Sequence, residues 1–245
     1  MSIPLDQHDK EIQENLEAWN RKPLLQTLYA QFYQRILSQL DQSLVGKTVE
    51  LGSGIGNLKQ HLPSAITTDL FPNPWIDQVC SAYELPFADG SLTNLILIDV
   101  LHHLERPSAF FKEAKRTLCQ HGRIIILDPY ISLSSALVYG PLHHEPIGWK
   151  DPISESDEAP DDHAYYAAQG NATRMFFKGD DYPMDGLEIL ERKAFSCWGY
   201  FLSGGFSKPS MYPKALLPVW NVIDGMLSLC PPLFAGRCLV TLRKR

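Results

Sequence analysis

Two apolar runs, LILID at Leu95–Asp99 and RIIILD at Arg123–Asp128, constrain this chain more than any other feature. Neither alternates. A strand with one wet face alternates apolar and polar residues, so a strand that does not must be covered on both faces, as in a parallel sheet between two helical layers. Between the runs, Phe110, Phe111, Ala114 and Leu118 fall on one face of a helix predicted over Ser108–Leu118, and Gly122 stands where a helix-ending glycine is expected. Shorter strands are expected at Thr48–Leu51, Ala65–Asp69 and near Gln78–Ser81. Upstream, Leu24, Leu28, Phe32, Ile36 and Leu40 recur every fourth position behind Pro23, which predicts an amphipathic helix over Pro23–Leu40. Strands alternating with helices in this way imply a parallel, doubly wound α/β sheet.

After Asp128 the rhythm changes. Tyr130–Phe177 has an acidic centre, KDPISESDEAPDDH, flanked by GPLHHEPIGW and AYYAAQ, and is expected to lie as an insertion over the top of the sheet. The acidic run Asp151–Asp162 reads either as a lid that orders on binding or as a solvated loop. Leu187–Tyr200 is expected to be a helix or loop leading into a strand around Phe195–Phe201, and Arg237–Leu242 to be the last strand. Ser207–Leu233 between them is expected to be a second, mostly helical insertion.

Composition narrows the functional classes. The chain has 245 residues, 44% hydrophobic and 20% charged, enough for one substantial core. A net charge of −6, with Lys and Arg scattered until Arg243–Arg245, offers no basic face, so no nucleic-acid partner is expected. The five cysteines, at 80, 119, 197, 230 and 238, are odd in number and form no CxxC pair, which argues against a disulfide framework and a zinc cluster. The polar N-terminus lacks a signal-peptide core, and Pro213–Ala235 is broken by Lys214, Asp224 and prolines, so no transmembrane segment and a cytoplasmic location are expected.

The stretch VELGSGIGNLKQHLPSAITTDLF explains itself as a ligand loop. Gly52, Gly54 and Gly56 follow a strand ending in Glu50, and glycine lets a backbone turn tightly and approach a ligand closely. A helix is expected after the loop, with free N–H groups facing an anion. The spacing is GxGxG, whereas the dinucleotide fingerprint is GxGxxG and a P-loop requires GK[ST]. Asp69 ends the next strand beside this loop, where a carboxylate can accept hydrogen bonds from both ribose hydroxyls, so an adenosine compound is the expected ligand.

These residues resemble the class I S-adenosylmethionine-dependent methyltransferases, of the type 11-like small-molecule group. ELGSGIG resembles the family's first motif, TTDL its second-strand acid, SAYELPFADGSL the segment that reads adenine, LILIDVLHHL its fourth strand and GRIIILDPY its fifth, over about Leu44–Tyr130. The resemblance implies a Rossmann-like, doubly wound seven-stranded sheet, mostly parallel with an antiparallel last strand, with helical insertions after strand five and before the last strand. It implies one domain over 1–245: a helical cap (1–43), a cofactor-binding core (44–130), an insertion over the acceptor site (131–178) and a C-terminal part (179–245) whose helical insertion spans 207–233. By the same resemblance Glu50, Gly52, Ser53, Gly54 and Gly56 hold the methionine part of S-adenosylmethionine, or of the product S-adenosylhomocysteine. Asp69 then holds the ribose, Leu70 one adenine face, and Ser81 with Ala82 the adenine edge, while Asp99 and Val100 lie along the sulfonium. The family usually has Asp where this chain has Ser81, which puts the hydrogen bond to the adenine amino group in question.

Methyl transfer from a sulfonium is an in-line displacement, and a base is needed only when the acceptor arrives protonated. Candidate bases are His103, His143 and His144, followed by His102, Asp128 and Tyr130. Packing is the competing reading for Val100, Leu101 and Tyr130, helix positioning for His102 and His103, and a surface loop for His143 and His144. Imidazole and carboxylate at His143, His144 and Glu145 are suitable metal ligands, but these adjacent residues have no spaced partner, so no metal site is expected. Asp128-Pro129-Tyr130 is not the [DN]PPY of amino-methylating enzymes, because the second proline is missing and it follows the fifth strand. The acceptor is expected to be a small, lipid-like or glycan-like molecule. The apolar residues of Ser207–Leu233 suit a lipid-like pocket, a membrane surface or a homodimer face equally. Two other functions stay open: adenosyl-ligand binding without turnover, and an NAD-dependent oxidoreductase on a related sheet.

Overall fold

The structure, a computed structural model, describes residues 5–143, 145–156, 158, 166–178, 182 and 184–245. Helices α1 (Leu5–Arg21) and α2 (Pro23–Leu37) precede β1 (Lys47–Leu51), β2 (Ile66–Asp69), β3 (Gln78–Val79) and β4 (Leu92–Ile98). Then come α3 (Pro107–Thr117), β5 (Leu118–Pro129), α4 (Ser135–Tyr139) and α5 (Asn171–Phe177). The chain ends with β6 (Leu187–Phe195), α6 (Trp198–Leu202), α7 (Leu217–Leu227), α8 (Pro231–Phe234) and β7 (Arg237–Lys244).

The strands form one seven-stranded sheet in the order β3-β2-β1-β4-β5-β7-β6. The first five are parallel, and β7 runs antiparallel to both of its neighbours. Successive strand residues point to opposite faces, so the unbroken apolar runs divide between two cores. Leu95, Leu97, Ile124, Ile126, Val240 and Leu242 pack with Phe110 and Phe111 on the α3 side. Ile96, Ile125, Leu127 and Leu239 pack with Phe32 and Ile36 on the α2 side. Strand order reverses between β1 and β4, and the crevice beyond their carboxyl ends is where open α/β sheets bind ligands.

Three local expectations are corrected. Gly122 does not end a helix: α3 stops at Thr117 and the chain continues directly as β5. The pairing of β4 with β5 jumps from Leu92–Leu118 to Asn94–Arg123, so Gly122 belongs to a bulge, where His121 takes the positive φ of 66°. No α-helix follows the glycine loop. Asn57–Gln60 is a single 3-10 turn, and Ile55, Leu58 and Ala65 are drawn down beneath α2. Finally, the strand expected near Phe195–Phe201 runs earlier, over Leu187–Phe195, because β7 pairs with it from Lys244 back to Arg237. Tyr200 and Phe201 sit instead in α6, whose start is fixed by a carboxylate from α7. Ser196 Oγ and the Trp198 and Gly199 N–H groups all donate to Asp224, at 2.6, 2.7 and 2.9 Å.

Candidate active site

Glycine shapes the floor of the crevice. Gly52, Gly54 and Gly56 have φ of 63°, 52° and 66°, the left-handed region that a side chain disfavours. A Cβ on Gly52 would meet Val100 Cγ2 at 2.5 Å, and one on Gly56 would meet the Trp75 carbonyl oxygen at 2.4 Å, so both are needed for packing. A Cβ on Gly54 would meet no atom within 4 Å. Gly54 is therefore bare toward open space, and its N–H donates to Asp69 Oδ2 at 2.8 Å. Asp69 is thus fixed against the loop that precedes it.

This floor opens into a cavity of about 640 Å³, within the range of small-molecule sites. Glu50, Gly52, Ser53, Gly54 and Asp99 line one end, and His102, His103, His143 and Glu145 line the other. Between them stand Tyr29 and Tyr33 from α2, Tyr139 from α4, and Trp198, Tyr200 and Phe201 from α6. The 204–208 segment also lines the cavity, anchored where Lys22 Nζ donates to the carbonyls of Gly205 and Lys208.

Two acids, buried Glu50 and half-buried Asp99, mark the floor end. Glu50 is 4% exposed and its Oε2 has no hydrogen-bond partner. Burial pushes its carboxyl up to about 8, against the opposing hydrogen bond from Ser53. Asp99 adopts φ of 57°, a strained region for a side-chain-bearing residue that Asp tolerates better than most. Its carboxylate takes both guanidinium nitrogens of Arg237, at 2.6 and 3.0 Å. Arg237 is buried between the rings of Phe32 and Tyr200. That clamp joins residues 138 positions apart, and nothing local in the sequence announces it.

At the far end the insertion delivers Glu145 onto the two histidines that follow β4. Main-chain bonds from Ala168 N to the His102 carbonyl (2.9 Å) and from Gln169 N to the Pro146 carbonyl (3.1 Å) stitch the insertion down. Gly148, φ 66°, permits the crossing, since a Cβ there would lie 2.4 Å from that of Ala168. His102 Nδ1 lies 3.0 Å from Asp128 Oδ1, and His103 Nδ1 lies 3.1 Å from the Tyr166 carbonyl. The two Nε2 atoms each lie 3.6 Å from a different oxygen of Glu145. Gln169 Nε2 donates to Glu145 Oε2, and the Glu145 N–H to His143 Nδ1 at 3.2 Å. Burial opposes charge on His102, but the Asp128 carboxylate outweighs it and lifts the imidazole to about 10. Burial and then the neighbouring His102 charge lower His103 to about 4.

The sequence-derived candidates therefore divide. Glu50, Gly52, Ser53, Gly54, Asp99, His103 and His143 share one cavity. Gly56 supports the loop from behind, and Val100 packs on Gly52. Asp69, Leu70, Ser81 and Ala82 lie outside this cavity, toward the β2–β3 edge. There Ser81 Oγ accepts the Tyr83 N–H at 3.0 Å and Ala82 packs on the core. His144 and part of the acidic run lie outside the described residues. Tyr130 packs into the α3-side core against Phe177. The sequence offers Asp128 only as a candidate base and carries no signal for Gln169 or Arg237, because each acts through a partner distant in sequence.

With this geometry in place, residues 49–126 match a family model described as a methyltransferase domain. The matched span runs from β1 to β5, across the switch point that holds the glycine loop and Asp99. No curated protein matches the sequence. Among solved structures, an S-adenosylmethionine-dependent methyltransferase from Thermotoga maritima is 16% identical, with a TM-score of 0.56 over 96% of this chain and 99% of that one. Geranyl diphosphate C-methyltransferase from Streptomyces coelicolor A3(2), solved with Mg2+, geranyl-S-thiolodiphosphate and S-adenosyl-L-homocysteine, is 12% identical with a TM-score of 0.52 over 88% of this chain and 76% of that one. A methyltransferase from Archaeoglobus fulgidus gives 14% and 0.52 over 90% and 94%. At these identities the likeness to the three structures is one of fold. No helix among the described residues is long and apolar enough to cross a membrane.

Proposed function

We propose that this chain is an S-adenosylmethionine-dependent methyltransferase acting on a small molecule with an apolar or aromatic body. The observation that carries the reading is the continuity of one cavity from the glycine loop to the histidine–carboxylate cluster. The residues at the loop fit the cofactor. Gly54 leaves open the space that a Cβ would fill, and the unpartnered, buried Glu50 Oε2 suits an ammonium group. In this reading Glu50 and the Gly52–Gly56 backbone hold the methionine part, with Ser53 among them. Asp69, fixed by Gly54, addresses the ribose, while Leu70, Ser81 and Ala82 form the adenine side along the neighbouring edge. Asp99 and Val100 border the reacting centre.

When bound, the cofactor supplies a methyl group already activated on a sulfonium. The chain's contribution is to orient the acceptor and exclude water. The wall of Tyr29, Tyr139, Trp198, Tyr200 and Phe201 suits an apolar acceptor body. His103 and His143 meet its polar end, where a proton would leave. The NAD-dependent reading finds no support in the GxGxG spacing or the family match.

The test is thermal unfolding with S-adenosylmethionine, S-adenosylhomocysteine and NADH in parallel. A ligand at 100 times its Kd stabilises by about 2.7 kcal/mol, roughly 5–10 °C for a chain of this size. We expect a rise with both adenosyl-sulfur ligands and none with NADH, followed by S-adenosylhomocysteine release in an acceptor screen. A rise with NADH alone would refute the reading.

A further inference from the structure

The histidine–carboxylate cluster has the form of a metal site. We propose that His102 Nε2, His103 Nε2 and the Glu145 carboxylate bind one divalent transition-metal ion, Zn2+ being the first candidate, with an open coordination position toward the cavity.

Distance is the first argument. The two Nε2···O separations of 3.6 Å exceed the roughly 2.7–3.2 Å of an N–H···O hydrogen bond. Ligands about 2.0–2.2 Å from a tetrahedral metal lie about 3.3–3.6 Å from one another. The ligand atoms of all three residues fall within 4.8 Å of each other, so one ion can reach them together.

Orientation is the second. A metal-binding histidine usually directs its other ring nitrogen to a carboxylate or a backbone carbonyl, which fixes tautomer and ring angle. Both histidines do so here, His102 toward Asp128 and His103 toward the Tyr166 carbonyl. The same bonds turn both Nε2 atoms toward Glu145. Gln169 in turn holds the carboxylate from behind. Every ligand thus has its supporting partner, and the supports come from β5 and from the insertion rather than from the ligands' own neighbours.

Chemistry is the third. Two imidazoles and one carboxylate form a catalytic Zn2+ set, and they also suit Fe2+; such sites keep a position for solvent or substrate. His102, His103 and Glu145 all line the cavity, so that position faces the acceptor. An acceptor oxygen bound there would be oriented and made more acidic. This consequence rests on the methyltransferase reading, whereas the metal site itself does not.

The experiment uses the intact protein, stripped with a chelator and dialysed. Zn2+ is titrated calorimetrically and Co2+ by visible absorption. We expect one equivalent of either ion, with cobalt bands of the intensity typical of four or five ligands. Glu145→Gln and His103→Gln should each weaken binding at least 100-fold, and Asp128→Asn by about 10- to 100-fold. Asp128 is fully buried and its variant can fail to fold. Glu145→Gln, in a loop, keeps the test decisive. Absence of stoichiometric metal, or variants that bind as the wild type does, would overturn the proposal. The melting shift with S-adenosylhomocysteine is read on the same samples. Stabilisation by that ligand without metal binding refutes the metal site alone, and metal binding without that stabilisation refutes the cofactor reading alone.

Discussion

Gly54 and Glu50 show how single residues at this site trade stability for a ligand. Gly54→Ala adds a Cβ where no atom lies within 4 Å, so the fold bears only left-handed backbone strain of about 1–2 kcal/mol. We expect it to fold, melt a few degrees lower, and lose S-adenosylhomocysteine affinity at least tenfold. Gly56→Ala, which drives a Cβ to 2.4 Å from a main-chain oxygen, should destabilise considerably more. Calorimetry and thermal unfolding on the pair separate the two roles, and wild-type affinity in Gly54→Ala would remove the loop from the site. Glu50 makes a pH-dependent contribution. The folded protein keeps its proton up to about pH 8, whereas an ordinary glutamate carboxyl releases it near 4.5, so the folded state binds more protons between those limits. Stability contributed by this group therefore falls as pH rises from 4.5 toward 8. Glu50→Gln should be more stable than wild type at pH 8 without ligand, with the advantage vanishing below about 4.5, while binding the adenosyl ligand more weakly. A difference in stability that does not vary with pH would contradict this.

Elements differ in how plainly the sequence declares them. β1, β2, β4 and β5 are legible because buried parallel strands require apolar runs, and α2 and α3 because each shows a helical stripe. β6 is not, since it is the edge strand and its middle residues, Glu188–Lys193, are mostly polar and solvent-facing. α6 is missed for a different reason. It spans only five residues, and its N-terminus is capped by Asp224 of α7 rather than by a neighbour in sequence. That dependence gives a prediction. Asp224→Ala leaves two helix N–H groups and the Ser196 hydroxyl without their acceptor, at a cost of about 1–3 kcal/mol. Because α6 carries Trp198, Tyr200 and Phe201 of the cavity wall, ligand affinity should fall as well. Denaturant unfolding and calorimetry check both, and Asp224→Asn should recover part of each.

At the scale of the molecule, the site depends on contacts that join distant halves of the chain. The floor was readable because GxGxG and the acid after it lie close together in sequence. The cluster of His102, His103, Glu145 and Asp128 was not, because the insertion must fold before Glu145 reaches the histidines. The Asp99–Arg237 pair is the extreme case, tying the end of β4 to the start of β7 across β5. Its two members differ in solvent access: the Arg237 side chain is 3% exposed and that of Asp99 is 30% exposed. Removing one partner of a buried pair is costly in proportion to how little water reaches the charge left behind. Asp99→Asn, a residue that tolerates positive φ, strands the guanidinium and should cost about 3–5 kcal/mol. Arg237→Met strands a carboxylate that water can reach, so it should cost less. In the double variant no uncompensated charge remains, and stability should recover relative to Asp99→Asn alone. Denaturant unfolding of the four proteins measures this cycle. Equal single costs, or a double variant less stable than Asp99→Asn, would show that the clamp is not what joins the two halves of the sheet.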